Sequence, residues 1–205
     1  MDMRVPTLCA LLALAGCREP STAPGDAIAP AAGPAPAAAV EPPAATAAPT
    51  ADEGAMPPAS DFTLEAKGAA VTAQAPETPV LVDVRTAGHE GYDRLVFEFR
   101  ADALPQWRAE WTEIPITDCG AGQVVPVSGT AWLQLRFSGA AAHTPEGEAT
   151  SGPRQRRLRH PVLRDLARTC DFEGEVAWVA GLAGRHPFRA KAMTAPPRLV
   201  VDIAH

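Results

Sequence analysis

Apolar and polar residues alternate most regularly toward the C-terminal end of the chain. Residues 188–205 indicate a strand, a proline-containing turn and a second strand. The second strand divides into an inward set and an outward set, namely Leu199, Val201 and Ile203 against Arg198, Val200 and Asp202. A repeat of two residues is typical of a half-buried β-strand. The pattern therefore predicts a hairpin that supplies part of the core.

Shorter alternating runs upstream predict further strands. The positions that share the apolar phase of these runs are Val80, Val82, Val84, Leu95, Phe97, Phe99, Trp107, Ala109, Trp111, Ala131, Leu133, Leu135, Phe137, Phe172, Gly174, Val176 and Trp178. Residues 161–168 fit either a short helix or one arm of a hairpin. Several short strands separated by turn signals, without a long helix, predict an all-β sandwich or open barrel.

The composition of residues 18–75 differs from that of the rest. They are rich in alanine and proline and show no apolar repeat, and their prolines prevent a long helix. We expect a disordered linker here, followed by one β-sandwich domain over residues 76–205. The alternative is low-complexity sequence that is tolerated without serving as a tether.

Residues 1–17 contain a basic residue, Arg4, followed by an apolar run that ends at Cys17. The run is too short to span a bilayer and is typical of an export signal. Its last four residues, LAGC, resemble a bacterial lipobox, which implies that Cys17 carries a membrane-anchoring lipid; the alternative is an ordinary signal. The expected location is the bacterial cell envelope. That means the outer membrane facing the periplasm in a Gram-negative host, or the outer face of the plasma membrane in a Gram-positive one.

Cys119 and Cys170 are the cysteines of the predicted exported domain. Two cysteines in an oxidising compartment predict a disulfide. A reactive or metal-binding thiol is the alternative, but the CxxC spacing that favours it is missing. The sequence HEGYD at 89–93 places Asp93 where a helical HExxH zinc site needs its second histidine. We therefore predict no catalytic residue, no metal and no cofactor.

Three outward positions of one predicted strand, Trp132, Gln134 and Arg136, form a candidate glycan-binding strip. Sugars present apolar CH groups that stack on aromatic faces, and the indole offers a large contact area. The alternative is that a second sheet, or the loop at 115–129, covers Trp132.

The densest charge in the domain lies at Arg154, Arg156, Arg157 and Arg159, which are candidate contacts for an anionic partner. Arginine binds phosphate through its forked donors. An exported protein meets anionic lipids or wall polymers, so no nucleic acid is predicted. The alternative is a solvated loop and strand face.

The segments VDVRTAGHEGYDRLVFEF, DFEGEVAWVAGLAGRHPFR and PPRLVVDIAH resemble the AMIN-like domain of bacterial envelope lipoproteins, a relative of the AMIN targeting module. The resemblance covers residues 80–205. It implies a β-sandwich that localises its protein in the envelope, in several relatives by binding peptidoglycan. It thus implies a binding module that is not an enzyme. The alternatives are a module docking on another envelope protein and, with less support, a cell-wall hydrolase.

Overall fold

The computed structural model describes residues 61–70 and 77–205. Cys17 and the predicted signal lie outside the described residues, as does most of the predicted linker. The described chain forms two antiparallel sheets, one of six strands ordered β1-β4-β5-β8-β7-β6 and one of four ordered β2-β3-β10-β9. The strands are β1 Lys67–Ala69, β2 Val80–His89, β3 Tyr92–Arg100, β4 Gln106–Thr112, β5 Ala131–Ser138, β6 Gln155–Arg157, β7 Leu163–Phe172, β8 Glu175–Leu182, β9 Phe188–Thr194 and β10 Pro197–Ala204. The all-β sandwich prediction is confirmed.

Aromatic rings from both sheets meet in the core. Phe97 of β3 lies 5.3 Å from Phe137 of β5, and Phe99 lies 5.0 Å from the same ring, measured between centroids. Trp178 of β8 meets Phe97 edge-on at 6.2 Å. Each such burial stabilises the fold by about 1.5–3 kcal/mol. The alternating positions predicted on β3, β4, β5 and β10 occupy this interior.

The C-terminal hairpin is confirmed, but the prediction of a half-buried strand is wrong for β10. Its outward residues Val200 and Asp202 are both 0 % exposed. β10 lies between β3 and β9, so neighbours flank it on both sides. The rings of Phe62 and Tyr92 also lie over Arg189, at 4.5 and 5.4 Å from its guanidinium carbon, and cover part of this face.

The burial of side chains in β2 departs from the predicted alternation, and the structure also decides between the two alternatives for residues 161–168. In β2 the register shifts between Leu81 and Asp83, so Leu81 is buried together with Val84, whereas Val80 and Val82 are only partly buried. An extra residue in a strand reverses the side-chain alternation beyond it. Residues 161–168, left open between helix and strand, enter β7 at Leu163.

The alternation predicts that Phe172 faces the core, and this prediction is wrong. The next two residues, Glu173 and Gly174, have φ values of 49° and 80° and turn the chain from β7 into β8. Two successive left-handed residues are what a tight hairpin turn requires. The turn leaves Phe172 58 % exposed at the end of β7.

Residues 63–69, which fall within the predicted linker, pair with both sheets. Thr63 exchanges two backbone hydrogen bonds with Phe188 of β9, and β1 then pairs with β4. The Trp111 indole also donates to the Leu64 carbonyl at 2.9 Å. We call residues 63–69 the strap, because they join the edges of the two sheets. Within the described ranges, no helix has the length and apolarity to cross a membrane.

Candidate functional site

The loop of residues 113–130, which we call the covering loop, is attached to the outer face of the six-stranded sheet. The predicted disulfide between Cys119 and Cys170 is present, with an S–S distance of 2.04 Å, and it joins this loop to β7. The Cys119 amide donates to the Thr169 carbonyl at 3.1 Å. Farther along, the Ser128 amide donates to the buried Asp165 carboxylate at 2.8 Å. These contacts hold the loop against the sheet at both of its ends.

Close approach between the loop and β8 depends on a glycine. A Cβ placed on Gly181 would lie 1.9 Å from the Ser128 carbonyl oxygen, far inside van der Waals contact. Any side chain at this position would therefore push the loop away from β8. Gly181 thus sets how closely the loop covers this part of the sheet.

Trp132 lies under the same loop. Its indole nitrogen donates to the Val127 carbonyl at 3.0 Å, and its side chain is partly buried. This placement matches the alternative in which the loop at 115–129 covers Trp132. The strip predicted from the sequence is therefore split, since Gln134 and Arg136 lie farther along β5 and line a recess.

Two recesses meet at the disulfide, and we call them together the disulfide groove. The larger has a volume of about 370 Å³ and the smaller about 230 Å³. Both are lined by Asp118, Cys119, Thr169 and Cys170. The larger recess adds Arg154, Arg168, Asp171 and Phe172, whereas the smaller adds Thr112, Thr117, Gln134, Arg136 and Glu175.

Two guanidinium groups lie in the larger recess, Arg168 largely buried and Arg154 more exposed. Arg168 contacts the Asp171 carboxylate and the Ala142 carbonyl, both at 3.1 Å. Arg154 donates through Nε to the Arg168 carbonyl at 3.1 Å, and its Nη2 lies 3.9 Å from Asp118. The exposed Phe172 ring lies beside them. The recess thus combines an aromatic face with cationic donors, which suits a polar ligand with apolar CH groups.

Besides Asp118, which it shares with the larger recess, the smaller recess is lined by two charged side chains, Arg136 and Glu175. Arg136 contacts Gln134 through Nη2 and Oε1 at 3.4 Å. Glu175 has one carboxylate oxygen, Oε2, that is shielded from solvent without a hydrogen-bond partner among the described residues. Within those residues no ion pair joins Arg136 to Glu175, although both line this recess. Neither charge is therefore neutralised by the other.

The predicted basic stretch does not form one surface. Arg154 lines the groove and Arg159 is exposed. Arg157 pairs with the buried Asp165 carboxylate at 3.1 Å. Arg156 is partly buried, and burial lowers the pKa of its guanidinium while the nearby Asp83 carboxylate opposes that shift. Only Arg154 of the four contributes to the groove.

Phe172 and Glu175 are among the groove residues that the sequence analysis does not predict as site residues. The Glu173-Gly174 pair between two apolar runs was a usable signal, because a residue pair ending in glycine favours a hairpin turn that would expose Phe172. Glu175 gave no signal of its own, since its role depends on pairing with β5. No group of three or more histidine, cysteine, aspartate or glutamate side chains in the described part of the chain is arranged to hold a metal ion.

A family model described as the AMIN-like domain matches residues 79–205. The match begins after the strap and includes every lining residue of the disulfide groove. Neither a curated protein nor a solved structure matches the chain.

Proposed function

The chain belongs to the AMIN-like domain family, and from this premise we propose that it is a non-enzymatic envelope protein that binds peptidoglycan through the disulfide groove. Domains of this family are binding modules associated with the bacterial cell envelope. In the proposal, Cys17 carries a lipid, residues 18–60 act as a tether, and the β-sandwich recognises the wall.

The observation that carries the proposal is the composition of the groove. Phe172 presents an exposed ring next to Arg154, and Gln134 and Arg136 lie on the other side of the disulfide. Glycan strands with peptide stems offer sugar CH faces, amides and carboxylates. An aromatic ring stacks on the sugar CH faces. Amide and guanidinium donors bind the amides and carboxylates of the peptide stems.

The test is cosedimentation with purified peptidoglycan sacculi. The full chain carrying Cys17→Ser, which prevents lipid attachment, is expected to pellet with sacculi, and Phe172→Ala is expected to reduce the pelleted fraction several-fold. Leu64→Ala is the matched control, because Leu64 is also exposed and apolar but lies on the strap. A chain that stays in the supernatant, or equal losses in both variants, would contradict wall binding at the groove.

A second pair of variants separates a specific cation from general charge. Arg154→Gln removes a guanidinium from the larger recess, whereas Arg159→Gln removes an exposed one that does not line either recess. Binding in the groove predicts a loss for Arg154→Gln only. An equal loss for both variants would indicate nonspecific attraction to the anionic wall.

Docking on another envelope protein is the second candidate function. It is favoured by apolar exposure near the groove, where Ile114 is 64 % exposed and Val124 is 65 % exposed on the covering loop. Protein interfaces bury such apolar side chains at their centres. A photoreactive residue at position 114 that gives a defined protein adduct in living cells, together with no pelleting on sacculi, would favour this function.

Lipid attachment needs a test of its own, since Cys17 lies outside the described residues. We expect the unmodified chain to fractionate with membranes and Cys17→Ser to be released into the soluble fraction. Mass spectrometry of the purified N-terminal peptide should then show a lipid on Cys17. Unchanged membrane fractionation of the Cys17→Ser chain would contradict the lipid anchor.

A further inference from the structure

The smaller recess has a charge arrangement that is specific enough to define a ligand class. In the β5–β8 ladder, Arg136 lies opposite Ala177 and Ser138 lies opposite Glu175. Arg136 and Glu175 are therefore diagonal neighbours on the same face of the sheet. Diagonal Cα atoms across antiparallel strands are about 7–8 Å apart, which leaves room for a small group between the two charges.

Apart from Asp118, the other side chains that line this recess are uncharged, and they include both apolar and polar groups. Ala177 is buried at its floor and Ile116 is buried in the covering loop, so both give apolar surface. Thr112 and Thr117 add hydroxyl groups at the rim. The disulfide forms the side that separates this recess from the larger one. A compact ligand with a short apolar part and charges of both signs fits these walls.

We propose that the smaller recess binds the end of an amino acid that carries an ammonium and a carboxylate on the same carbon. The Arg136 guanidinium binds the carboxylate, and the Glu175 carboxylate that lines the recess pairs with the ammonium. The proposal rests on the proposed function, because peptide stems of peptidoglycan supply such ends. It adds that the peptide, not the sugar, occupies this recess.

The paired charges also exclude simpler ligands. A phosphate or a dicarboxylate would form an ion pair with Arg136 but would be repelled by Glu175. A diamine would be repelled by Arg136. Unfavourable charge contacts against a competitor are one of the ways in which a site gains specificity. Selectivity for a zwitterion is therefore the property that distinguishes this site from a general basic patch.

The experiment is an NMR titration of the isotope-labelled full chain carrying Cys17→Ser. The probes are meso-diaminopimelic acid, which has two zwitterionic ends, pimelic acid, which lacks the ammonium groups, and 1,5-diaminopentane, which lacks the carboxylates. We expect diaminopimelic acid alone to shift the amide signals of Thr117, Thr169 and Ala177. Equal shifts with pimelic acid, or no shifts with diaminopimelic acid, would overturn the proposal.

Variants identify the two charges. Arg136→Gln and Glu175→Gln are each expected to weaken diaminopimelic acid binding about tenfold or more, because each removes a charge-assisted hydrogen bond. Arg108→Gln is the matched control: Arg108 lies directly opposite Arg136 on β4 but contacts Glu110 at 2.7 Å. Unchanged affinity in either groove variant would overturn the assignment.

The sacculus assay keeps this inference separate from the proposed function. If the chain pellets with sacculi in a way that depends on Phe172, but diaminopimelic acid does not bind, the proposed amino-acid site is wrong and the proposal of wall binding stands. If diaminopimelic acid binds selectively but sacculi do not pellet the chain, the recess assignment stands and wall binding is wrong.

Discussion

Asp202 of β10 lies directly opposite Arg94 of β3, and its carboxylate accepts two hydrogen bonds from that guanidinium, at 2.7 and 3.1 Å. Arg189 of β9 approaches from the other side, with Nε at 3.0 Å and Nη2 at 2.9 Å from the same carboxylate. All three side chains are buried. The Asp202 carboxylate thus pairs with two guanidinium groups, and these contacts link three neighbouring strands.

Asp202→Asn should be strongly destabilising. It removes the carboxylate shared by two buried guanidinium groups, and breaking such a buried pair costs about 3–5 kcal/mol. Urea unfolding followed by circular dichroism measures this loss. Asp83→Asn is the control, since Asp83 is an exposed partner of Arg85 and its removal should cost about 1 kcal/mol or less. Equal midpoints for the two variants would contradict a structural role of the buried carboxylate.

Gly181→Ala should displace the covering loop. The new methyl group would meet the Ser128 carbonyl at 1.9 Å, and overpacking of this kind costs about 1–3 kcal/mol. Gly120→Ala is the matched control, within the covering loop itself. A Cβ placed on Gly120 has its nearest neighbour at 3.9 Å, so this change should leave stability unchanged or slightly higher. Thermal unfolding of both variants checks the difference. A Gly181→Ala chain as stable as Gly120→Ala would show that the loop adapts freely.

Removing the disulfide should both destabilise the domain and open the groove. Cys119 and Cys170 are separated by 51 positions, and closing a loop of that length contributes about 4 kcal/mol in the chain-entropy model. The double variant Cys119→Ser, Cys170→Ser is expected to unfold at lower urea and to lose sacculus binding under conditions where it remains folded. Dithiothreitol should lower both the urea midpoint and the sacculus binding of the unmodified chain. It should leave both quantities unchanged in the double variant. Full binding by the folded double variant would contradict a groove built on this disulfide.

Arg156→Met should be neutral or stabilising by about 1 kcal/mol, because an apolar side chain of similar length often replaces a buried charge without loss. Burial already lowers the pKa of Arg156, and its Nε and Nη2 have no hydrogen-bond partner among the described residues. Arg157→Met should instead destabilise by about 1 kcal/mol, since it removes the cation that pairs with buried Asp165. Opposite signs in denaturant unfolding are the expected result. A loss for Arg156→Met larger than for Arg157→Met would contradict the placement of these side chains.

Much of the fold was predictable because alternation alone fixes which side of a strand enters the core. Leu95, Leu135 and Ile203 follow a strict two-residue repeat, and each is fully buried where that repeat places it. Alternation fails where backbone geometry changes locally, as at the Leu81 to Asp83 register shift. It also cannot show what covers an outer face, which is why the burial of Val200 and Asp202 was missed.

The groove was predictable only in part, for a related reason. Gln134 and Arg136 share one face of one strand, so sequence spacing was enough to place them together. Glu175 joins them only through the pairing of β8 with β5, and Arg154 reaches the groove through its hydrogen bonds with Arg168 of β7. Contacts between distant segments have no local signature in a single sequence.

The position of β10 has a consequence for the order of assembly. β4 to β8 can pair among themselves from residues 106–182, but β3 gains its second neighbour only when β10 arrives, from more than a hundred residues later. Non-local pairing of this kind slows folding, because a long loop must close first. A chain that emerges N-terminus first therefore carries β2 and β3 as an unfinished hairpin until β10 is released. Pairing of β10 with β3 on one side and β9 on the other then completes the four-stranded sheet.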